Sequence, residues 1–522
     1  MSPDDGAPPS TDHRHPPLIR GLMQVLALPP HTSAPRLIET HISWIILAGD
    51  TAYKLKKPVN LGFLDFSNLD LRHRYCLDEV RLNSRLAPDT YLGVVAVTGS
   101  EDAPRFGGEG PVLEWAVRMR AFAADATLDR EAEISRAQVR AIAARLADFH
   151  AVIEPAPKGS HHGEPRQILS IALDNFELLD ANLPADSPER GRLDALTAWT
   201  RSEWERLRPI LEARRRQGHV RECHGDLHLG NIAWVDAAPL IFDGIEFSAD
   251  LRFIDTTNEC AFLMMDLAHR GRSDLAWRFI NEYLERSGDY AGLASLRFYL
   301  VYRAMVRAKV CAIRTRQTAA DQGEACAYIE LAQRFARTPQ PGLVLMHGVS
   351  GSGKTHVAGE LMERMCAVRL RSDVERKRLF GLAAEETSGR IPGGIYTHEA
   401  GERTRRRLLD LSNRLVTDGF IVIVDATFIS RSWREAFESP GIAWCLVSLE
   451  TPEAVLRARL RQRGRAGTDA SEAGESVLDS QLAHHDALSP DELAHRISVT
   501  DGTEMGTLAS TICESLSLEK PC

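Results

Sequence analysis

The sequence lacks the marks of several common protein classes. Its nine cysteines, at positions 76, 223, 260, 311, 326, 366, 445, 513 and 522, form neither a Cys-x-x-Cys pair nor a metal-ligand spacing. We therefore expect reduced thiols rather than a disulfide framework or a zinc site. No apolar run reaches the roughly 18 residues of a membrane-spanning helix, and the first ten residues are polar, acidic and proline-rich, unlike a secretory signal. These absences predict a cytoplasmic protein.

Positive charge and aromatic side chains are also scarce. The chain carries 63 Lys and Arg against 72 Asp and Glu, a net charge of −9, and 7% of its residues are aromatic. Proteins that bind nucleic acids or membrane surfaces usually display a basic excess, so neither class is favoured. At 522 residues the chain is too long for one hydrophobic core. We expect two or three globular domains.

The first part of the chain has a strand-then-helix pattern. Residues 37–59 alternate like two antiparallel strands joined at Gly49-Asp50. A helix is expected near 72–86 and another strand over 112–120. Helices then dominate to about residue 336, which is the order of an α+β domain.

The second part alternates strands with helices. Its expected strands lie near residues 343–347, 367–372, 420–424, 443–449 and 495–500. Alternation of this kind predicts a parallel, doubly wound α/β sheet. We therefore predict, in chain order, a disordered tail over 1–16, a domain over 17–337, a linker over 338–342 and a domain over 343–522. Because the linker is short, the two domains are expected to pack together.

The first domain contains one group of candidate catalytic residues. Residues 223–231 read Cys-His-Gly-Asp-Leu-His-Leu-Gly-Asn, and Asp243 follows a short strand twelve residues later. A kinase-like phosphotransferase needs one carboxylate to deprotonate the acceptor hydroxyl, and an Asn and a second Asp to hold Mg²⁺ on the nucleotide phosphates. We therefore predict Asp226 as the catalytic base and Asn231 and Asp243 as metal ligands. The alternative is that these residues only cap loop turns. His228 is expected to pack the loop rather than to catalyse.

A second phosphate-binding motif follows an apolar strand and opens a helix, as a P-loop does. The motif consists of Gly348, Val349, Ser350, Gly351, Ser352, Gly353, Lys354 and Thr355. Its backbone N–H groups and the helix N-terminus form an anion site. Lys354 is predicted to bridge the β- and γ-phosphates, and Thr355 to ligate Mg²⁺. The apolar strand over 420–425 ends in Asp425, the Walker B pattern, whose carboxylate is expected in the Mg²⁺ shell.

Residues 224–231 resemble the motif of aminoglycoside phosphotransferases, which share the protein-kinase fold. The resemblance implies that Lys54, within an Ala-x-Lys strand motif, contacts the α- and β-phosphates and that Glu79 on the next helix pairs with it. Lys56, on the same strand face, is the alternative lysine. Residues 39–44 read Glu-Thr-His-Ile-Ser-Trp where protein kinases carry a Gly-x-Gly-x-x-Gly loop. An aminoglycoside acceptor is not implied, because the motif reports phosphoryl chemistry and not the acceptor.

The second domain resembles polynucleotide-kinase-like and zeta-toxin-like P-loop kinases. The pair Asp373 and Arg376 is similar to their Asp-x-x-Arg acceptor element, which implies that Asp373 is a base and that Arg376 grips the substrate. The alternative is that Asp373 caps the following helix. Arg459 and Arg463 share one helix face and resemble the lid arginines that contact ATP and the transferring phosphoryl group. A solvated basic face is the alternative for these arginines.

As a whole, the chain resembles the bacterial fusion family of bifunctional aminoglycoside-phosphotransferase-like and ATP-binding proteins, whose P-loop half is described as an AAA-family ATPase. The resemblance implies two Mg·ATP sites that phosphorylate hydroxyl groups of small molecules. One alternative makes the P-loop half the single active kinase, and another makes it a regulatory ATPase, with the kinase-like half as a binding module. A nucleic-acid acceptor is disfavoured, because the basic clusters at 403–407 and 457–465 have no interleaved aromatics for base stacking.

Overall fold

The computed structural model describes residues 15–518 apart from 29–33, 63, 124, 184–186, 319–322, 339, 392–393, 439–440, 467–470 and 473. These residues belong to two compact units, Met1–Ala132 with Glu222–Phe253 and Glu133–Arg221 with Ile254–Cys522. Most of the tail predicted over 1–16 lies outside the described residues. Within the described ranges, no helix has both the length and the apolar character needed to cross a membrane.

The first unit is built on a six-stranded antiparallel sheet. Its strands are β1 (Arg36–Glu39), β2 (Ser43–Ala48), β3 (Thr51–Lys56), β4 (Tyr91–Ser100), β5 (Ala103–Phe106) and β6 (Glu114–Arg120), in the order β1-β2-β3-β6-β4-β5. The turn predicted at Gly49-Asp50 joins β2 to β3, and Gly49 has the positive φ of +61° that favours glycine. We predicted two strands over 37–59, but the structure has three, because a second turn separates β1 from β2. The expectation also missed β4 and β5.

Helices and a small hairpin complete the first unit. They are α1 (Pro17–Leu26), α2 (Leu69–Asn83), the hairpin β8 (Ile232–Val235) and β9 (Ala238–Ile241), and α6 (Ala249–Arg252). Apolar side chains of α1 and of the sheet form a buried cluster. Helix α2 begins where the Asn68 side chain accepts a hydrogen bond from the Leu71 N–H at 2.8 Å, a normal N-cap. The hairpin lies between the two loops that carry the first predicted site.

The second unit begins with helices and contains most of two short strands. The elements are α3 (Arg136–Val152), α4 (Pro165–Asn182), α5 (Glu189–Arg216), β7 (Val220–Glu222), β10 (Phe253–Asp255), α7 (Thr256–His269), α8 (Ser273–Ser287), α9 (Leu293–Thr318) and α10 (Gly323–Ala336). Helix α3 starts with a reciprocal capping box between Ser135 and Gln138. The prediction that helices dominate this part of the chain is confirmed.

A five-stranded parallel sheet forms the rest of the second unit. Its strands are β11 (Gly342–His347), β12 (Val368–Arg371), β13 (Ile421–Asp425), β14 (Trp444–Leu449) and β15 (Arg496–Val499), in the order β12-β13-β11-β14-β15. All five predicted strands are present, and every pairing is parallel. The connections reverse direction on either side of β11. In such sheets the ligand crevice lies at this switch point, outside the carboxyl ends of the strands.

Helices surround the parallel sheet. They are α11 (Lys354–Arg364), α12 (Ser372–Leu379), α13 (His398–Thr417), α14 (Arg431–Phe437), α15 (Glu453–Ala466), α16 (Glu475–Ala483), α17 (Pro490–Ala494) and α18 (Met505–Ser515). Helix α8 also contacts β12 and α11 inside this unit. Helix α8 therefore belongs to the same compact unit as the parallel sheet.

The cysteines differ in one respect from the expectation. The free thiols are those of Cys76, Cys223, Cys260, Cys311, Cys326, Cys445 and Cys513. Cys366, in the turn between α11 and β12, is disulfide-bonded. The expectation of reduced thiols was therefore wrong at Cys366, where no local Cys-x-x-Cys pattern signals a partner.

Candidate active sites

Two buried lysines of β3 share one buried glutamate of α2. Lys54 Nζ lies 2.8 Å from Glu79 Oε1, and Lys56 Nζ lies 2.7 Å from Glu79 Oε2. The lysines also contact different second carboxylates, since Lys54 binds Asp243 and Lys56 binds Glu246. Both lysines point to the same side because strand side chains alternate with a period of two. The contact with Asp243 favours Lys54 over Lys56 as the phosphate-binding lysine.

The buried charges of the two lysines and their carboxylate partners stabilise one another. Burial lowers the pKa of Lys54, but Asp243 and Glu79 outweigh it and raise the pKa well above its ordinary value. Burial raises the pKa of Glu79, whereas Lys54 and Lys56 hold it below the ordinary value. For Glu246 burial prevails, and its pKa is raised despite Lys56. Lys54 and Glu79 therefore remain charged at neutral pH, which the roles predicted for them require.

The loop after β7 brings the predicted base and a predicted metal ligand together. Asn231 Nδ2 donates to the Asp226 carbonyl at 2.9 Å and to the Asp226 carboxylate at 3.1 Å. His228 Nδ1 accepts a hydrogen bond from the Gly230 N–H at 3.1 Å, and its Nε2 lies 3.5 Å from Asp226 Oδ2. His228 thus orders the loop, and it also lies beside the predicted base.

Asp243 follows β9 in a strained backbone conformation. Its φ is +62°, which is uncommon for a residue other than glycine and is often found at functional sites. The Tyr91 hydroxyl accepts a hydrogen bond from the Asp243 N–H at 3.1 Å. The ring of His224 in the first loop hydrogen-bonds the Phe242 carbonyl at 2.8 Å through Nε2. The motif histidine therefore links the loop of the base to the loop of the metal ligand.

The turn between β1 and β2 lies near both carboxylates. Partial burial and Lys57 lower the pKa of His41, while the charges of Asp226 and Asp243 act to raise it. His41 stands where a protein kinase would carry its glycine-rich loop. It was not predicted as a site residue, and only its position in that turn could have indicated it.

The oxygen atoms of the first site suit a hard divalent cation. Asp226, Asn231 and Asp243 offer carboxylate and amide oxygens, the ligand types that Mg²⁺ takes beside substrate phosphates. Lys54 adds the positive charge that the phosphates require. The residues present therefore fit the metal and nucleotide that their sequence pattern implies.

The P-loop of the second unit has a backbone that needs glycine. Gly348, Gly351 and Gly353 have φ values of +142°, +86° and +99°. A Cβ on Gly348 would lie 2.9 Å from the Ser352 hydroxyl and 3.0 Å from the Leu449 carbonyl. A side chain at Gly348 would thus displace the loop. Lys354 Nζ folds back on this loop and donates to the Val349 carbonyl at 2.8 Å.

The two predicted metal ligands of this unit line the same cavity. Thr355 of the P-loop and Asp425, at the carboxyl end of β13, both face this space. Asp425 is only 5% exposed. Burial raises its pKa, while Arg371, Arg369 and Lys354 act in the opposite direction. A hydroxyl and a carboxylate that line one cavity are the pair that a P-loop offers to Mg²⁺.

Asp373 and Arg376 line the same cavity of about 300 Å³ as Lys354 and Asp425. Helix α12 begins at Ser372 with Arg371 at its N-cap, so Asp373 lies inside the first turn and is not the helix cap. The Arg376 guanidinium carbon lies 4.9 Å from the Tyr396 ring centroid. Burial and Asp373 raise the pKa of Tyr396 to about 12.

The arginines of α15 divide into two groups. Arg459 Nη1 lies 3.4 Å from the Ser352 carbonyl of the P-loop. Arg457 and Arg461 instead pair with acidic residues of α15 and α16 at 2.6–2.8 Å. The structure therefore separates Arg459, which faces the P-loop, from Arg457 and Arg461, which pair with carboxylates. The side chain of Arg463 lies outside the described part of the structure.

Sequence reasoning missed Gln481 of α16. Its Oε1 accepts a hydrogen bond from the Ser350 N–H of the P-loop at 2.7 Å, and it lines the cavity that contains Asp373. Leu478 of the same helix is buried against α15 and holds α16 in place. The contact spans 131 residues of sequence, so no local pattern could have indicated it.

Comparison with known proteins agrees with this arrangement. Residues 72–299 match the model of the "Phosphotransferase enzyme family" and residues 343–488 match that of an "AAA domain". The uncharacterized protein Rv2004c of Mycobacterium tuberculosis (strain ATCC 25618 / H37Rv) is 32% identical over 394 residues, which are 75% of this chain and 78% of that protein. An uncharacterized protein of Mycobacterium bovis has the same identity and coverage.

Solved kinase structures are similar to separate parts of the chain. A choline/ethanolamine kinase family protein from Mesorhizobium loti is 11% identical, with a TM-score of 0.39, and the match covers 62% of this chain and 96% of that one. A sugar kinase from Janibacter sp. HTCC2649 is 24% identical, with a TM-score of 0.28, and the match covers 34% of this chain and 96% of that one.

Proposed function

The chain belongs to the same family as its mycobacterial relatives and joins a phosphotransferase-family domain to a P-loop kinase-like domain, and we propose that it phosphorylates small molecules at two Mg·ATP sites. Each site transfers the γ-phosphate of ATP to an acceptor hydroxyl. The observation that carries the proposal is that each predicted base lies near side chains predicted to bind phosphate and metal: Asp226 accepts from Asn231, and Asp373 lines one cavity with Lys354 and Asp425.

At the first site, Asp226 accepts the proton of the acceptor hydroxyl as its oxygen attacks the γ-phosphorus and ADP leaves. Lys54, held by Glu79 at 2.8 Å, balances charge on the α- and β-phosphates. Asn231 and Asp243 would hold the divalent cation, which neutralises phosphate charge when bound. The hydrogen bond from Asn231 to the Asp226 carboxylate, at 3.1 Å, fixes the base against the metal ligand.

At the second site, Asp373 is the base and Arg376 orients the acceptor. Lys354 leaves the Val349 carbonyl to bind the β- and γ-phosphates. Thr355 and Asp425 would hold the cation, and Arg459 adds positive charge where the phosphoryl group transfers. These roles are supported by the shared cavity of about 300 Å³.

The acceptors are small molecules rather than nucleic acids. The net charge is −9, and in the basic run over 403–407 two arginines pair with carboxylates, Arg405 with Glu402 and Arg407 with Glu375. A cluster in which two of four arginines are paired with carboxylates offers less to a phosphate backbone. Steeply salt-dependent oligonucleotide binding, with 5′-phosphorylation lost in Asp373→Ala, would contradict the small-molecule assignment.

The test is phosphorylation of a cellular metabolite pool with γ-labelled ATP. The wild type should label two groups of products, of which Asp226→Ala loses one and Lys354→Ala the other. The exposed variant Asp148→Ala is the control and should lose neither. Loss of all products in Lys354→Ala alone would leave the kinase-like half as a binding module. ATP hydrolysis without any labelled acceptor would instead indicate a regulatory ATPase.

A further inference from the structure

Helix α8 completes the outer edge of β12, the edge strand of the parallel sheet. Asn281 of α8 accepts a hydrogen bond from the Arg369 N–H at 2.7 Å and donates to the Ala367 carbonyl at 2.9 Å. Asn281 is 1% exposed. One side chain therefore satisfies a donor and an acceptor that an additional strand would otherwise satisfy.

One helical turn further along, Glu285 binds two arginines of the same strand. Its Oε1 accepts hydrogen bonds from Arg369 at 3.0 and 2.5 Å, and its Oε2 accepts from Arg371 at 3.2 Å. Burial raises the pKa of Glu285, but Arg369 and Arg371 outweigh it and hold the pKa below its ordinary value. Glu285 is therefore a charged residue in an almost fully enclosed position.

Arg371 connects this carboxylate to the candidate metal site. It is the register neighbour of Asp425 across β12 and β13, and its Nε lies 3.9 Å from Asp425 Oδ2. Asp425 lines the same cavity as Lys354 and Thr355 of the P-loop. A chain of charges thus runs from α8, outside the P-loop domain in sequence, to the carboxylate that faces the nucleotide phosphates.

We propose that Glu285 is a positioning residue of the P-loop site, acting through Arg371 to keep Asp425 available for the divalent cation. The inference rests on the proposed function of that site. It makes α8 of the kinase-like half a structural component of the second phosphotransferase centre.

The physical reason is competition for one carboxylate. A charged Glu285 accepts a hydrogen bond from Arg371 Nη1 at 3.2 Å, and Arg371 Nε then stays 3.9 Å from Asp425 Oδ2, beyond hydrogen-bond distance. With a neutral residue at 285, the guanidinium is drawn toward Asp425, because charge-assisted hydrogen bonds to a carboxylate are strong in a buried site. A guanidinium bound to Asp425 opposes cation binding there. Replacing groups that orient metal ligands typically weakens metal affinity by about 10- to 100-fold.

The test measures Mg²⁺-dependent ATP binding to the full chain. The parent carries Asp243→Asn to weaken the first site, and the signal of the second site is the binding that Lys354→Ala removes. Glu285→Gln should raise the Mg²⁺ concentration for half-saturation at least tenfold, while ATP affinity measured in EDTA changes less than threefold. If Glu285 only stabilised the fold, its replacement would change both the Mg²⁺ half-saturation and the ATP affinity in EDTA, or neither of them.

Two variants make the result specific. Glu363→Gln removes another buried partner of α8, since Glu363 binds Arg278, but it has no contact with Arg371 among the described ion pairs and should leave the Mg²⁺ dependence unchanged. Glu285→Asp keeps the charge and should recover part of the Mg²⁺ affinity. If Glu285→Gln does not fold, Arg371→Lys replaces it, because lysine lacks the fork that reaches two carboxylates.

The outcomes distinguish failure of the positioning role of Glu285 from failure of the function proposed for the P-loop site. A Mg²⁺ half-saturation within twofold of the parent in the folded Glu285→Gln or Arg371→Lys variant overturns the positioning role and leaves the proposed function intact. A parent with no ATP binding that Lys354→Ala removes overturns the P-loop function itself, and the positioning role with it.

Discussion

Replacing Glu79 with glutamine tests the charge arrangement of the first site most directly. The Glu79 carboxylate is fully buried and binds Lys54 at 2.8 Å and Lys56 at 2.7 Å. Glutamine keeps the shape and removes the charge, so each buried ammonium loses one of its two carboxylate partners. Neutralising one member of a buried ion pair costs about 3–5 kcal/mol. At about 1.36 kcal/mol per tenfold, the opening equilibrium of this region should rise about 10²- to 10⁴-fold.

Amide hydrogen exchange of the full chain measures this change, because it reports local opening free energies. Peptides from β3 and α2 should lose protection by that factor, while peptides from β11 in the second unit should not change. The control is Asp148→Asn, which breaks the pair with Arg286, whose side chains are 57% and 38% exposed. Such surface pairs contribute less than about 1 kcal/mol. A loss of protection below tenfold in Glu79→Gln would refute the reasoning.

Further predictions concern individual residues of both units. Lys354→Ala should abolish ATP binding at the P-loop, measured by titration, and leave hydrogen exchange in the first unit unchanged. Asp226→Asn should retain ATP binding but lower phosphoryl transfer at the first site by about 10²- to 10⁴-fold; equal rates would show that Asp226 is not the base. Arg459→Ala should slow transfer at the second site, whereas Arg457→Ala, its matched control on the same helix, should not. Burial lowers the pKa of His347 from 6.5 to about 4, so the unfolded chain binds more protons in that window. Stability of the second unit should therefore fall as pH drops from about 6.5 to 4, by up to about 1.4 kcal/mol per pH unit, and His347→Gln should flatten the dependence of its melting temperature.

Local patterns were enough to predict the parts of the fold that local chemistry determines. The P-loop over 348–355 needs three glycines with positive φ next to one lysine, and that requirement is visible within eight residues of sequence. Three of the five strands of the parallel sheet, β11, β13 and β14, are short apolar runs, which are easily recognised. Strands β4 and β5 were missed because only part of β4 is buried and its outer side chains follow no strict alternation.

Long-range contacts were beyond such reasoning. The choice between Lys54 and Lys56 depends on which carboxylate each one meets, Asp243 or Glu246, and these lie 189 and 190 residues away. The roles of the α15 arginines likewise depend on α16, whose acidic residues bind two of them. Spacing along a helix placed the four arginines together but could not show which of them faces the P-loop.

The hydrogen bonds that Asn281 makes to β12 bear on whether the P-loop half can exist alone. An uncovered edge strand is a template for pairing with other chains. A fragment that starts near residue 343 would lose Asn281, which covers that edge, and Glu285, which balances Arg369 and Arg371 in the interior. We expect such a fragment to self-associate at its open edge. Expressed alone, residues 343–522 should therefore form aggregates rather than a monomer. The P-loop half thus depends on a helix that precedes it in the chain for one side of its sheet.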